Sequence, residues 1–406
     1  MKILIITQYY YPEQFQINEI APDLVRRGHS VTVVCGLPNY PKGVIYEGYD
    51  NENDRRRIEE RYRKETGVEI IHCRQNPRGK SILQIIKNYW SFAKESKKVI
   101  RTLTRDYDVV LGYQLSPVTS MLAALDYKKI YKKPVLFYKL DLWPVSAESM
   151  LHGKKNPMYL WVKYISKKIY SKADRILVTS RPFIDYLNSK IHIPMERLAY
   201  LPQHAGTEML GMDLRAEDNS VADFMFAGNI GKGQRVDIII KAATILGVRN
   251  DYKIHIVGDG SMRSELEQLV KEKGLTANVI FYGNQKREAM PKYYKMADAL
   301  LITLRGNNAV GDTMPGKLQM YMTTGKPILG AINGAAAEVI DEAKCGICVK
   351  AGDYEGLARL MKRFIDNPQE YQSCGENARQ FFKNHFTLEH YMDGLEAELH
   401  QLIINN

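Results

Sequence analysis

Short apolar runs recur along this chain, each separated from the next by a helical pattern. Ile3–Thr7, Ser30–Cys35, Val68–His72, Val109–Tyr113, Val135–Leu140 and Arg175–Thr179 read as buried strands of a first half. Asp223–Ala227, Lys253–Val257, Val279–Tyr282, Ala299–Thr303 and Ile328–Ala331 read the same way in a second. Near-continuous apolar strands must be covered on both faces, which helices on a parallel sheet provide. The alternation therefore predicts the α/β class, with two Rossmann-like halves built from βα units. Only Leu201-Pro202-Gln203-His204 and the polar stretch to about Ala222 break the pattern, and they read as a linker. The expected organisation is a first domain over 1–203, a second over 222–385 and a final helix at about 386–406. Two such halves joined by a linker predict a cleft between them, with ligands at the carboxyl ends of the strands.

At 406 residues, 45% of them hydrophobic, the chain is long enough for two full cores. No apolar run approaches the roughly 18–20 residues of a membrane span. Lys2-Ile3-Leu4-Ile5-Ile6-Thr7 is too short for a signal-peptide core and reads as the first strand. The five cysteines are scattered, which suits a reducing compartment. Cys345-Gly-Ile-Cys348 stands alone, without a second pair at zinc spacing, and no His/Cys/Asp group has metal spacing. No metal site is expected.

Gly311-Asp312-Thr313-Met314-Pro315-Gly316-Lys317-Leu318 reads as a loop running into a short helix, and Gly325-Lys326-Pro327 as its stop. Pro315 suits the first turn, where a missing N–H costs nothing. Gly316 allows close approach of a ligand to the backbone, and Lys317 adds a point charge. Unpaired amides with a helix dipole behind them form a phosphate site. An ordinary helix–turn–strand with an incidental lysine is the plain alternative.

Charge is distributed unevenly. The chain carries 57 Lys+Arg against 46 Asp+Glu, a formal net +11. Arg74 to Arg105 holds nine basic residues and one acid, Glu95, and Lys154 to Arg175 holds seven and one, Asp174. Ile82, Ile85, Ile86, Tyr89, Trp90 and Ala93 follow helical spacing in the first cluster, as do Met158, Trp161, Val162, Ile165 and Ile169 in the second. Such stripes suit interfacial helices at an anionic membrane. They equally suit core-facing helices with solvated backs.

The order and spacing of the motifs resemble those of the retaining, nucleotide-sugar-dependent glycosyltransferases of family 4, which have the two-domain GT-B fold. Tyr11-Pro12-Glu13 and the run Leu24–Val33 are similar to that family's opening βαβ unit. Phe226-Ala227-Gly228-Asn229-Ile230-Gly231, Val257-Gly258-Asp259-Gly260 and Met314-Pro315-Gly316-Lys317 match its donor half. Leu37-Pro38-Asn39-Tyr40-Pro41-Lys42-Gly43 and Asp141-Leu142-Trp143-Pro144 look like the branch that adds N-acetylated amino sugars, such as N-acetyl-L-fucosamine, in O-antigen and capsule assembly. The chain departs from the family in three places. Gln14-Phe15-Gln16 replaces the N-terminal glycine-rich loop. Asn229 stands where an Arg is usual, with a basic residue six positions on at Arg235. Of two acids eight positions apart, Asp312 is kept and the second is Met320.

The resemblance implies two domains facing each other across a cleft, the final helix packing back on the first. It implies a retaining, metal-independent hexosyl transfer without a cofactor, from a UDP-sugar to a polyprenyl-diphosphate-linked saccharide. The enzyme would work in the cytoplasm, peripherally at the inner face of the cell membrane. Leaving-diphosphate charge needs fixed donors, for which Arg235, Lys317 and the amides of Gly316 and Lys317 are candidates. Asn229, Gly283, Asn284, Gln285, Asp312 and Pro315 complete the donor-binding set, with Asp312 on sugar hydroxyls and Gly283-Asn284-Gln285 reading the base. Glu13 is a candidate acceptor base. Asp141, just after a strand, suits contact with sugar or acceptor, or a cap. A UDP-sugar 2-epimerase shares the architecture and is the nearest rival. A dinucleotide dehydrogenase is disfavoured because Arg263 stands where its fingerprint wants Gly. Nucleic-acid binding is disfavoured because no recognisable module accompanies the basic clusters.

Overall fold

The computed structural model describes residues 1–103, 106–148, 151, 153–216, 219–306 and 313–405. The chain divides into two compact units, Met1–Leu201 with Met392–Asn406, and Pro202–Tyr391.

The first unit carries seven strands: β1 (Lys2–Ile6), β2 (Ser30–Gly36), β3 (Glu69–Cys73), β4 (Val109–Gln114), β5 (Val135–Lys139), β6 (Arg175–Val178) and β7 (Leu198–Tyr200). They form one parallel sheet in the order β3-β2-β1-β4-β5-β6-β7. Ile3 at its centre lies opposite both Val31 and Val109. The chain order reverses between β1 and β4, and there the strand ends splay into a crevice. Ile3, Leu4, Ile5 and Ile6 are fully buried, as both-face coverage requires.

The second unit carries β8 (Ala222–Ala227), β9 (Tyr252–Val257), β10 (Val279–Gly283), β11 (Ala299–Thr303), β12 (Ile328–Ala331) and β13 (Gly346–Val349). These are also parallel, in the order β10-β9-β8-β11-β12-β13, with the reversal between β8 and β11. Eleven of these strands coincide with the apolar runs. β7 and β13 do not: both are edge strands, of only three and four residues. β13 opens on a glycine and keeps all four residues partly exposed, so it leaves no apolar signature.

The expected linker belongs instead to the second unit from Pro202 onward. Met209 and Leu214 are buried in that unit's core beside Phe382 and Phe386. The Ala205 amide donates to the Phe386 carbonyl at 2.9 Å, and Gln319 Nε2 donates to the Gln203 carbonyl at 2.6 Å. The last helix, Leu388–Ile404, joins the first unit from Met392. It buries Met392, Leu395 and Leu399 there. Arg175 forks onto Glu398 at 2.6 and 2.8 Å, and Arg27 Nη1 holds Asp393 and Glu396 at 2.6 and 2.5 Å. Among the described residues no helix is long and apolar enough to cross a membrane.

Candidate functional site

Four strand ends and one helix start of the second unit enclose a cavity of about 840 Å³. β8 contributes Gly228 and Asn229, β9 contributes Gly258 and Asp259, β10 is followed by Asn284 and Gln285, and β11 by Leu304. Pro315, Gly316, Lys317 and Met320 close the far wall. Its position at the carboxyl ends, beside the reversal of strand order, is where open α/β sheets bind ligands, and its size suits a small molecule. Two glycines make the wall possible. A Cβ on Gly258 would stand 1.9 Å from the Gly228 carbonyl oxygen, and a Cβ on Gly228 would stand 2.8 Å from Lys317 Cε. Both residues also have positive φ, at +140° and +142°, which side chains other than glycine's resist.

The helix Gly316–Thr324 begins one residue later than its sequence suggests. Pro315 is the extended residue before it, and Gly325 ends it in the left-handed conformation. Leu318, Tyr321 and Met322 anchor it in the core. The Tyr321 hydroxyl accepts from the Ala227 amide at 2.7 Å, which pins the helix to the end of β8. Its first amides, at Gly316 and Lys317, have no intrahelical acceptor and carry the positive end of the dipole.

Lys317 turns back over β8. Its Nζ lies 3.5 Å from the Phe226 ring centroid and donates to Gln234 Oε1 at 3.1 Å. No carboxylate pairs with it among the described residues. Desolvation pushes its pKa down from 10.5 to about 7. The ring face and one amide oxygen compensate this half-buried ammonium only in part. An anion entering the cavity would restore the charge, so the site is electrostatically incomplete without one.

The other expected donor residues divide. Asn229, Asn284, Gln285, Pro315 and Gly316 line the cavity with Lys317. Gly283 does not; its carbonyl accepts from the Gly258 amide at 2.8 Å, and its φ of +70° turns the chain into Asn284. Arg235 lies outside the cavity wall. Its guanidinium forks onto Asp237 at 2.8 and 3.0 Å and forms no part of the wall; its neighbour Gln234 does. An Arg two residues before an Asp at a helix start satisfies its own charge locally. Gly311 and Asp312 lie outside the described residues. Met320 stands in the wall, so the position of the missing second acid does face the cavity. Sequence reasoning missed Gln234 and Tyr294, which also line it. Neither sits in a motif; both arrive through tertiary packing.

In the first unit Glu13 and Asp141 follow β1 and β5, at the carboxyl edge of the sheet. Glu13 is buried, with Oε1 accepting from the amides of Asn39 and Tyr40 at 2.7 and 2.6 Å. Its Oε2 is buried without a partner among the described residues. Burial pushes its pKa up to about 7 against the pull of the backbone amides. A carboxyl poised near neutrality is the property a proton-accepting group needs. Asp141 is tied into its own turn: Oδ2 accepts from Trp143 Nε1 at 3.0 Å, and Oδ1 accepts from the Ser146 hydroxyl. That geometry favours the turn-holding role over direct chemistry. Beneath it Lys139 is fully buried, donating to the Asp141 carbonyl at 3.2 Å and to the Tyr170 hydroxyl, and burial holds its pKa well below the usual value.

The two strand histidines are held by hydrogen bonds. His255 bonds Asp223 at 2.7 Å and the Tyr282 hydroxyl at 2.8 Å, and His72 bonds Glu59 at 2.6 Å. Among the described residues one group could gather a metal, His29, Glu396 and His400, a juxtaposition sequence spacing does not reveal. Glu396 there is already bridged by Arg27, and His29 by the terminal amine at 3.2 Å, so the group works as an ion-pair clip.

Two family models match the chain, one in each half. "Glycosyltransferase Family 4" matches residues 15–203, and "Glycosyl transferases group 1" matches residues 215–381. An alpha-D-kanosaminyltransferase of Streptomyces kanamyceticus is 25% identical over 53% of this chain and 57% of its own. N-acetylgalactosamine-N,N'-diacetylbacillosaminyl-diphospho-undecaprenol 4-alpha-N-acetylgalactosaminyltransferase of Campylobacter jejuni is 25% identical over 54% of this chain and 57% of its own. The chain thus spans little more than half the length of either relative. Among solved structures, Anabaena HepE in complex with UDP superposes with a TM-score of 0.69 at 13% identity, covering 99% of this chain and 100% of that one. These matches do not favour an epimerase.

Proposed function

The chain belongs to the GT-B glycosyltransferases, its first half matching family 4 and its second matching group 1, and from that premise we propose the following reaction. It moves an N-acetylated amino sugar, with N-acetyl-L-fucosamine the leading candidate, from a UDP donor to a polyprenyl-diphosphate-linked saccharide. The product serves surface polysaccharide assembly, in capsule or O-antigen. The transfer retains anomeric configuration, needs no metal, and takes place at the cytoplasmic face of the membrane, where the protein binds peripherally. The observation that carries the donor reading is Lys317: a half-buried ammonium in the wall of a cavity of nucleotide size, without a carboxylate partner among the described residues and beside free helix amides. A relative whose name includes a diphospho-undecaprenol acceptor and a neighbour solved with UDP support the two substrates.

In this scheme the diphosphate lies on the amides of Gly316 and Lys317, with the Lys317 ammonium neutralising charge as the sugar–phosphate bond breaks. Asn284 and Gln285 face the base. Glu13 receives the acceptor's proton. A screen of UDP-, GDP- and dTDP-sugars by thermal shift tests the donor, since a ligand at 100 times its Kd stabilises by about 2.7 kcal/mol. Stabilisation by GDP- or dTDP-sugars with none by UDP-sugars would overturn it. Proton NMR of the product gives the anomeric outcome, and turnover in excess EDTA tests metal independence.

A further inference from the structure

A groove of about 470 Å³ opens between the helices Ile82–Ile100 and Pro157–Tyr170 of the first unit. Ile86, Trp90, Trp143, Met158, Trp161 and Ile165 line it. The Trp90 and Trp161 rings lie 6.0 Å apart across its mouth and are 40% and 48% exposed. Trp143 forms part of the wall, and its only polar atom is engaged by Ser116 and Asp141, so the ring offers the groove an apolar face. Both helices were expected to be either core-facing or interfacial. They are core-facing through Tyr89, Phe92, Tyr159 and Val162, and they also expose aromatic side chains that the core does not use.

Trp90 is shared with a second, polar cavity of about 880 Å³. Arg55, Arg74, Lys87, Lys94 and Lys98 line it, against Asp50, Glu52 and Glu95. Lys98 is paired with Glu95 at 2.7 Å, and Arg55 approaches Glu59 at 3.6 Å. Arg74, Lys87 and Lys94 have no ion-pair partner among the described residues. Lys87, Trp90 and Lys94 stand at i, i+3 and i+7 on one helix, hence on one face, with the indole between two free cations. Leu37 lines the same cavity, two residues before Asn39, whose amide holds Glu13.

We infer that the apolar groove takes the lipid chain of the lipid-diphosphate acceptor, while Arg74, Lys87 and Lys94 hold its diphosphate. This rests on the acceptor reading above and locates that substrate. An apolar slot sharing a wall with a cavity in which cations outnumber carboxylates is complementary to one amphiphile whose chain and multiply charged anion are directly joined. The apolar surface is concave and has room for a few isoprene units next to the diphosphate, which suits part of one chain.

The test is calorimetric titration of the full chain with geranylgeranyl diphosphate, geranylgeraniol and inorganic diphosphate, each below its aggregation concentration and without nucleotide sugar. The inference expects geranylgeranyl diphosphate to bind at least about tenfold more tightly than either fragment. Met158→Glu, at the groove wall, should weaken it by about tenfold or more, since a carboxylate then faces the chain. Leu160→Glu, on the same helix but outside the groove and 54% exposed, should leave it unchanged. Lys87→Glu with Lys94→Glu should weaken the diphosphate and spare the alcohol. Thermal unfolding of each variant separates loss of binding from loss of fold.

Three results would overturn the inference: equal affinity for inorganic diphosphate and geranylgeranyl diphosphate, equal losses from Met158→Glu and Leu160→Glu, or binding only to anionic vesicles and never to the single lipid. The last would make these helices a bilayer surface. Sugar transfer to a lipid-linked acceptor is measured separately. If transfer persists while the groove variants bind as wild type, only the groove is refuted. If transfer goes solely to water-soluble saccharides, the acceptor reading falls instead.

Discussion

Lys317 provides the most quantitative prediction. Lowering its pKa from 10.5 to about 7 makes the buried charged form roughly 5 kcal/mol less favourable than in water. Because the folded value is depressed, the folded protein binds fewer protons than the unfolded chain between those values, so this group's contribution to stability rises from pH 7 towards 10.5. Diphosphate reverses the imbalance by favouring the ammonium. In the free protein at pH 8 most Lys317 is neutral, and in the UDP complex it is charged, so binding should take up about one proton. UDP affinity should then fall by up to about tenfold per pH unit above pH 7. Calorimetry at pH 8 in two buffers of different ionisation enthalpy counts that proton. Lys317→Gln, one atom shorter, keeps a polar N–H donor there and removes the titration. It should bind UDP at least about tenfold more weakly at pH 7, with proton uptake near zero at pH 8. Any titration of UDP itself is common to both proteins and cancels in the difference. Equal proton uptake by wild type and Lys317→Gln would refute the assignment of Lys317 to the diphosphate.

Three further expectations follow from the same geometry. Arg235→Ala should change UDP affinity by less than about threefold, because an ion pair with Asp237 outside the cavity contributes about 0–1 kcal/mol; a loss matching that of Lys317→Gln would return Arg235 to the diphosphate. Met320→Glu places a carboxylate in the wall where ribose hydroxyls are expected, and should tighten UDP by about tenfold through charge-assisted hydrogen bonds, with no such gain for UDP-free diphosphate; unchanged titrations would detach this position from ribose. Glu13 has a folded pKa of about 7, above its unfolded 4.5, so its burial is unopposed below pH 4.5 and costs up to about 3 kcal/mol once pH exceeds 7. Glu13→Gln should therefore match wild-type stability near pH 4.5, exceed it at pH 8, and lose turnover; a variant less stable than wild type at pH 8 would contradict the burial argument.

The sequence by itself determined the architecture. Strands covered on both faces must be apolar throughout, and eleven such runs sufficed to assign the chain two parallel sheets, whose strand order only the structure gives. The helix start at Gly316-Lys317 was legible for the same reason: its glycine, proline and cap carry local backbone requirements that do not depend on neighbours. β7 and β13 were not legible, because these two edge strands are only three and four residues long, unlike the edges β3 and β10, and carry no continuous buried apolar run. The division of labour among the charged residues was decided only by tertiary structure. Lys317 and Arg235 look equivalent as letters, yet Phe226 and Gln234 desolvate the first while Asp237 neutralises the second. Glu13 and Asp141 both follow strands, yet one is left with a buried, unpaired oxygen and the other is bound by Trp143 and Ser146. A local pattern specifies backbone conformation. The free energy of a charge depends on what the fold brings within a few ångströms of it: Arg235 and Asp141 find their partners within five residues, whereas those of Lys317 and Glu13 lie far away along the chain.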